Sequence, residues 1–471
     1  MNNIDSFLKN NLDKRVVAVQ GLGFVGAVMS LVVANSDEEE YAVIGVDLPQ
    51  RKDVINKLNK GIFPISCTDP KVYKYFEEVK DKGNFIATDD TNAYSKADII
   101  IVDINLDVEK NSDLQKNLKG YNVDLTGFKN AIRTLAQKCK EDVLILVETT
   151  VPPGTCQNIV KPIFEEEYDR RGLEHKFKIG HSYERVMPGP GYVDSIKNFY
   201  RVFSGVDKES EEAVRDFLKS IISTDEYPLT KLGSTNASEM SKVLENSFRA
   251  MNIAFIQEWT EFAESAEVDL FEVINAIRMR PTHQNIMRPG LGVGGYCLTK
   301  DPLLASWASQ EFFHSIPLMQ SEQAVKINDR MPLHTFKTFQ KFFNGELKGL
   351  RVLILGISYL QNVGDTRYTP VDLLYDSLKS NEVDVILHDP FVEIWEEKGV
   401  DIQTESIDET GFDAIIIGTP HDKYIKEGLL ENILRKEDSL SVVIDPHGAI
   451  TESMMQKFSN HKFKVIGRGD V

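Results

Sequence analysis

The sequence predicts an α/β fold of two doubly wound parallel sheets joined by a long central helix, and three observations carry the prediction. A strand pattern near the start runs into a G-x-G-x-x-G turn and then a helical pattern. Short apolar strand patterns alternate with helical ones at both ends of the chain. Between them lies one helical pattern free of proline and internal glycine. Strand, helix, strand in succession implies right-handed crossovers and a parallel sheet, whose ligands sit beyond the carboxyl ends of the strands.

Arg15–Gln20 reads as the first strand, followed by Gly21-Leu22-Gly23-Phe24-Val25-Gly26 and a helix over Ala27–Asn35. This is the context the dinucleotide turn requires. The first glycine permits the tight bend, the second lets a pyrophosphate reach the backbone, and the third lets helix and strand pack closely. The helix N-terminus supplies unpaired N–H groups and the positive end of its dipole. A second strand, Tyr41–Val46, ends at Asp47, roughly 20–30 residues beyond the first glycine, where a ribose-binding acid is expected. A carboxylate there accepts the ribose hydroxyls and repels a 2′-phosphate, favouring NAD over NADP; nearby Arg51 works slightly the other way.

Ala97–Val102 and Asp142–Val147 are further buried-strand candidates, with a helix between them over Leu125–Cys139. Glu148-Thr149-Thr150-Val151-Pro152-Pro153-Gly154-Thr155 follows the last of these strands. Its hydroxyls stand where a cofactor or substrate would be met, or else the segment is a Pro-Gly turn with capping threonines. From Ser234 to about Val268 the pattern is helical, with Met240, Val243, Leu244, Phe248, Met251 and Phe255 at helical spacing. Lys242 and Asn246 share one face of it, either as a solvated face or as an oxyanion-stabilising pair. In the last third, Gly349–Gly356, Glu382–Leu387, Asp413–Ile417 and Ser441–Ile444 repeat the strand theme. Gly356-Ile357-Ser358-Tyr359 lacks the glycine fingerprint, and Asp365-Thr366-Arg367 offers an anion contact. The expected domains are residues 1–225 for the dinucleotide, 226–330 for a central helical part, and 331–471 for a second α/β unit.

Composition narrows the chemistry. The chain of 471 residues is 42% hydrophobic and 27% charged, as globular domains are. Lys+Arg 54 against Asp+Glu 72 gives −18, which argues against nucleic-acid or anionic-membrane binding. Cys67, Cys139, Cys156 and Cys297 are too scattered for a disulfide framework or a zinc site, so no metal and a reducing cytoplasm are expected. Met1–Asp5 lack a basic region followed by an apolar run, so no signal peptide is expected, and no apolar stretch approaches spanning length.

The stretch Leu291-Gly292-Val293-Gly294-Gly295-Tyr296-Cys297-Leu298-Thr299-Lys300-Asp301-Pro302 concentrates glycines, a cysteine and a carboxylate. It reads as a loop carrying a nucleophile with a polar partner one turn on, or as a tight turn with a buried thiol.

Together these residues resemble the UDP-glucose/GDP-mannose dehydrogenase family, the nucleotide-sugar 6-dehydrogenases. The resemblance rests on Gly21–Gly26, Thr150–Thr155, Lys242 with Asn246, Gly292–Cys297 through Asp301-Pro302, and Gly364-Asp365-Thr366-Arg367. It implies an N-terminal NAD-binding Rossmann domain, a central helix carrying a dimer contact, and a C-terminal Rossmann-like domain for the nucleotide sugar. It also implies four-electron oxidation of a sugar C6 alcohol to a carboxylate with two NAD+. On this resemblance Cys297 is the nucleophile, Lys242 and Asn246 stabilise oxyanions, Asp301 orients water, and Glu184 serves thioester hydrolysis. Gly21, Gly23, Phe24, Val25, Gly26, Asp47, Thr150 and Arg367 are the implied cofactor contacts. Arg185, Arg249, Gly294, Gly295 and Tyr296 are the implied substrate contacts.

Glu184-Arg185-Val186-Met187-Pro188-Gly189 resembles the UDP-N-acetylhexosamine branch, because the UDP-glucose branch has a second glutamate where Pro188 stands. The chain departs from the family at Tyr183, usually proline, and at Val102-Asp103-Ile104-Asn105, usually V-P-T-P-like. It departs again at Leu360, usually lysine, and in having only Arg278, Arg280 and His283 as candidates for an arginine reaching a neighbouring subunit. The rival expectations are a UDP-glucose 6-dehydrogenase, an inactive nucleotide-sugar-binding homologue, a cysteine-dependent acyl transferase or hydrolase, and a two-electron β-hydroxyacid dehydrogenase.

Overall fold

Eight strands line up edge to edge in the first sheet of this computed structural model, which describes residues 3–65, 67–186, 189–437 and 441–470. Their order is Thr230–Lys231, Val202–Gly205, Lys178–His181, Leu144–Val147, Ile99–Val102, Arg15–Gln20, Tyr41–Val46 and Phe85–Thr88. Counted along the chain, the six strands from Phe85–Thr88 to Lys178–His181 stand in the order 3-2-1-4-5-6 of a dinucleotide-binding sheet. All six run parallel, Arg15↔Tyr41 and Val17↔Ile99 fixing the central register, while Val202–Gly205 returns antiparallel to Lys178–His181. The central strands are apolar on both faces, as a sheet covered by helices on both sides must be.

The chain forms two compact units. The first comprises residues 1–109, 122–244 and 307–317; the second comprises 110–121, 245–306 and 318–471. The expected central part, 226–330, is therefore shared between them. The excursion 110–121 is a two-stranded hairpin that folds with the second unit, anchored by Lys110 Nζ to Asp329 Oδ2 at 2.7 Å. Its residues are mostly polar and only half covered, so they carry little alternation.

The second sheet has five parallel strands in the order Asp384–His388, Arg351–Leu355, Ala414–Ile417, Val442–Asp445, Lys462–Val465. That is 2-1-3-4-5, the other common doubly wound order, and its crevice falls between the first and third strands. There Asp389 Oδ2 accepts from the N–H groups of Ile357 (2.8 Å) and Ser358 (3.0 Å), and lies 3.1 Å from His421 Nε2. His421 Nδ1 accepts from Asn362 N–H, which puts the ring proton on Nε2. Asp389, His421 and Ser358 are fully buried, so the turn after Leu355 is bolted by its own side chains.

The long helix spans Thr235–Ser265, 31 residues. Its apolar residues divide between two faces. Val243, Ala250, Ile253, Ala254 and Ile256 are buried, whereas Met240, Leu244, Phe248, Phe255, Trp259 and Phe262 form an exposed stripe along the helix. Among these, Phe255, Trp259 and Phe262 stack ring against ring at 6.0 and 5.9 Å.

Candidate active site

In the first unit the polar groups gather at the carboxyl edge of the sheet. The first turn after Gln20 is as tight as its glycines require: a Cβ on Gly26 would sit 1.9 Å from the Gly21 carbonyl oxygen. Over Gly23 a Cβ would meet nothing within 4 Å, and Gly23 caps the Phe24–Ala34 helix without a side-chain hydrogen bond. An uncapped helix start under open space suits a phosphate. Asp47, directly after Tyr41–Val46, accepts from Leu22 N–H at 3.0 Å and Leu48 N–H at 2.7 Å, and stays partly open to solvent. Those bonds orient its carboxylate and leave lone pairs for a diol.

The threonines of the Glu148–Thr155 segment divide by role. Thr149 Oγ1 bonds the Val102 and Ile104 carbonyls (3.0 and 2.8 Å), and Thr155 Oγ1 bonds the Pro152 carbonyl at 2.6 Å. Thr150 is half-buried with no hydroxyl partner among the described residues. The residues present fit a dinucleotide: N–H groups of Gly23 to Val25 for its phosphates, Asp47 for a ribose, Thr150 as a hydroxyl contact.

Lys242 and Asn246 are both buried, which removes the solvated-face alternative. Lys242 Nζ donates to the Glu184 carbonyl at 2.8 Å and stands 3.6 Å from Glu184 Oε1. Glu184 is itself 8% exposed, and its Oε2 accepts from Val186 N–H. Tyr183, where the family has proline, is buried beneath Lys242 Nζ (5.3 Å to the ring centre) and bonds Ser241 Oγ at 2.8 Å. His181 sits under the same group, its pKa pushed down to about 3 by burial and then by the charges of Lys242 and Arg201. It is therefore neutral, with Nδ1 2.8 Å from Ser238 Oγ. Arg185 lies over the rings of Tyr183 and Phe199 and donates to the Tyr200 carbonyl at 2.8 Å. Met187 and Pro188, on which the branch resemblance turns, lie outside the described residues.

The second unit holds the cysteine. The stretch expected as a loop is one only as far as Tyr296; a helix begins at Cys297 and runs to Glu311. Cys297 is exposed, so the buried-turn alternative does not hold. It occupies the helix N-terminus, where the dipole favours thiolate. One turn on, Asp301 is fully buried, accepting from Asn246 Nδ2 at 2.6 Å and facing Lys300 Nζ at 3.2 Å. Gly294 and Gly295 pack against Tyr359, and Gly295 N–H bonds the Arg367 carbonyl at 3.0 Å. Arg367 folds in this second unit with the cysteine loop: its guanidinium grips Asp365 (2.6 and 2.9 Å) and lies 5.1 Å above the Tyr296 ring. Arg249 is exposed on the long helix. Arg278 is tied to the Ile286 carbonyl at 2.6 Å, while Arg280 and His283 are exposed.

Two polar residues at this edge, Glu239 and Arg201, were not singled out from sequence, and a third, Asp103, entered only within the departing segment 102–105. Glu239, one turn before Lys242, is buried and accepts from the N–H groups of Gly154 (2.6 Å) and Cys156 (2.8 Å). It fixes the Pro-Pro-Gly-Thr turn, and burial pushes its pKa up to about 7 against the pull of those bonds. Arg201 precedes the antiparallel strand, is 1% exposed, and donates through Nη2 to Glu148 Oε1. Asp103 follows Val102. Strand periodicity signals none of the three, because each is polar and lies just outside or beside a patterned element.

Replacing Asp47 by alanine should lower the NAD-over-NADP ratio of kcat/KM by about tenfold, the effect of roughly 1.4 kcal/mol of lost discrimination. An unchanged ratio in paired steady-state assays would remove Asp47 from ribose recognition.

Comparison with known proteins places three matches along this chain. The models of the UDP-glucose/GDP-mannose dehydrogenase family match as its NAD binding domain over residues 15–222, its central domain over 236–330, and its UDP binding domain over 353–452. A UDP-N-acetyl-D-mannosamine dehydrogenase of Pyrococcus horikoshii is 30% identical over 97% of this chain and all of its own length. One of Methanococcus maripaludis is 27% identical over 98% of each chain. The solved structure of the UDP-D-ManNAc dehydrogenase from Pyrococcus horikoshii superimposes with a TM-score of 0.79 at 28% identity, covering 97% of this chain and 100% of that one.

Proposed function

The chain belongs to the UDP-glucose/GDP-mannose dehydrogenase family, and from that premise we propose that it is an NAD-dependent nucleotide-sugar 6-dehydrogenase. Its substrate is a UDP-N-acetylhexosamine, UDP-N-acetylmannosamine before UDP-N-acetylglucosamine, in keeping with the relatives' names. The observation that carries the reading is the pairing of two buried donors one helical turn apart with two carboxyl-bearing residues, Lys242 with Glu184 and Asn246 with Asp301. An exposed thiol stands one turn before Asp301 on its own helix.

NAD+ supplies the electron acceptor for each of the two oxidations. The first turns the C6 alcohol into an aldehyde. Cys297 Sγ then bonds C6, and Lys242 Nζ and Asn246 Nδ2 stabilise the oxyanion of the resulting thiohemiacetal. The second oxidation leaves a thioester. Water, deprotonated towards Glu184 and oriented by Asp301, attacks C6; the S–C6 bond breaks and the thiolate leaves. One alcohol, two NAD+ and one water thus give one carboxylate, two NADH and three protons. A binding protein has no need of such a nucleophile and its donors.

The exposed stripe Met240–Phe262 on the long helix supports a homodimer built on it, since a monomer rarely shows so long an apolar row to water. Cysteines that form no disulfide among the described residues support a reducing cytoplasm as the place of action, and among the described residues no helix is long and apolar enough to cross a membrane. Purified enzyme is expected to release two NADH per UDP-N-acetylmannosamine consumed, followed by absorbance against a product titration. A ratio of one would replace this reading with a two-electron dehydrogenase. A panel adding UDP-N-acetylglucosamine, UDP-glucose and GDP-mannose ranks the sugars by kcat/KM.

A further inference from the structure

At the carboxyl edge of the first sheet two acids stand side by side in the backbone register. Ile99–Val102 and Leu144–Val147 pair with Val102 opposite Val147, so Asp103 and Glu148 are the next residues on neighbouring strands. Glu148 N–H bonds the Val102 carbonyl at 3.0 Å and Asp103 N–H bonds the Gln20 carbonyl at 2.8 Å, which pins both residues. The Asp103 carbonyl lies where a Cβ on Gly21 would come within 2.4 Å, so this acid abuts the first glycine of the dinucleotide turn.

Glu148 is 1% exposed, and one of its oxygens is taken by Arg201 Nη2. Its other oxygen, Oε2, and Asp103 Oδ2 are both shut from solvent, and neither has a nitrogen or hydroxyl donor among the described residues. The charged groups facing Asp103 are Glu148, Glu184 and Arg201, of which Glu184 is partnered by Lys242. His181 beside them is neutral. Three carboxylates against two cations would leave one buried negative charge without a counterion, and two buried acceptor oxygens on neighbouring strand ends without a donor. Such a charge is removed by taking up a proton.

We propose that Asp103 is held as the neutral carboxylic acid, its proton on Oδ2 and donated to Glu148 Oε2, so that the two strand ends share a single negative charge that Arg201 balances. Burial first, and then the charge of Glu148, push the Asp103 carboxyl well above its ordinary range, in the same sense. Asp103 is thus a positioning residue: it satisfies Glu148 and spares Glu184 a second negative neighbour. Only that last consequence rests on the role proposed for Glu184; the location of the proton does not, and its tests need no turnover.

Two measurements on the full chain locate the proton. Infrared difference spectra of wild type against Asp103→Asn at neutral pH should show one protonated-carboxyl band lost in the variant, shifting in D2O. The second is stability against pH. A proton bound by folded but not by unfolded Asp103 stabilises fully below the ordinary aspartate range and is lost as pH rises towards the raised folded value. From about pH 5 to about pH 7 the folding equilibrium constant of wild type relative to Asp103→Asn should therefore fall about tenfold per pH unit. Glu239 and His181 also titrate anomalously, but Asp103 is not among the groups that shift them, so they cancel in the comparison; Glu148, whose titration does depend on position 103, keeps a donor beside it in the asparagine amide. Asp103→Ser serves in the same two measurements if the asparagine variant does not fold. A retained band together with parallel pH curves would place the charge on Asp103 and overturn the proposal.

Discussion

Replacing Cys297 by serine is expected to lower steady-state turnover by at least about 10³-fold while leaving NAD binding within about twofold of wild type. Serine keeps the size and a hydrogen-bonding group at the start of the Cys297–Glu311 helix, so the fold has no reason to change. The chemistry changes because an alcohol at neutral pH holds its proton far more firmly than a thiol, and an alkoxide is a poorer leaving group than a thiolate. The exposed position of Cys297 and the sequestered Asp301 one turn on make the substitution a test of the sulfur itself. Cofactor titration by fluorescence and single-turnover NADH release separate binding from chemistry. Full turnover in the serine enzyme would eliminate the covalent route, and with it the assignment of Cys297.

Replacing Arg201 by methionine is expected to destabilise the first unit by about 3–5 kcal/mol, the usual effect of removing one partner from a buried ion pair. Arg201 and Glu148 have side-chain exposures of 1% and 0%, so no water can take over the lost contact. Burial already pushes the Glu148 pKa upward, and the charge of Arg201 is the chief force holding it down. Without the guanidinium, Glu148 is expected to bind a proton. The loss should therefore be largest above neutral pH and shrink as pH falls through the raised Glu148 value, because protonation then removes the unpaired charge. Chemical denaturation of wild type, Arg201→Met and Arg201→Met/Glu148→Leu at two pH values reads this directly. The double variant should recover most of the stability, since an apolar pair of similar volume replaces a buried ion pair at little penalty. A single variant as stable as wild type would mean that Glu148 is neutral whether or not Arg201 is present.

How much of this could be read from residues alone differs between elements for physical reasons. Tyr41–Val46 is apolar on both faces and sharply bounded by Asp47, so its limits and the acid after it were both legible. The glycine turn was legible because only its residue types tolerate the approach of Gly26 to Gly21. Strand order was not, since apolar runs announce strands but not their neighbours, and the 2-1-3-4-5 order of the second sheet emerged only from the pairings. The hairpin 110–121 was missed because half-covered polar strands carry no period. On the long helix the apolar spacing was visible, but the sequence could not divide it into a buried face and an exposed stripe.

At the candidate site, Lys242, Asn246, Cys297 and Asp301 were singled out by their spacing and the family resemblance, and the structure buries all of them but Cys297. Asp103 entered only within a segment that departs from the family pattern, and Arg201 not at all. Their significance lies in who surrounds them: a carboxyl group and a guanidinium look like surface residues until the sheet buries them together.

The two sheets carry the same device, an acid one residue past the second strand reaching back to the turn after the first. At Asp47 the grip is light and solvent still reaches it; at Asp389 two backbone N–H groups, Phe391 N–H and an imidazole consume the carboxylate. The same layout thus leaves its acid open to a visitor in one half and locks it into the masonry of the turn in the other. On the ribose role proposed for Asp47, retooling this protein for a different coenzyme starts at that acid, whereas its twin in the second half offers a handle on heat tolerance.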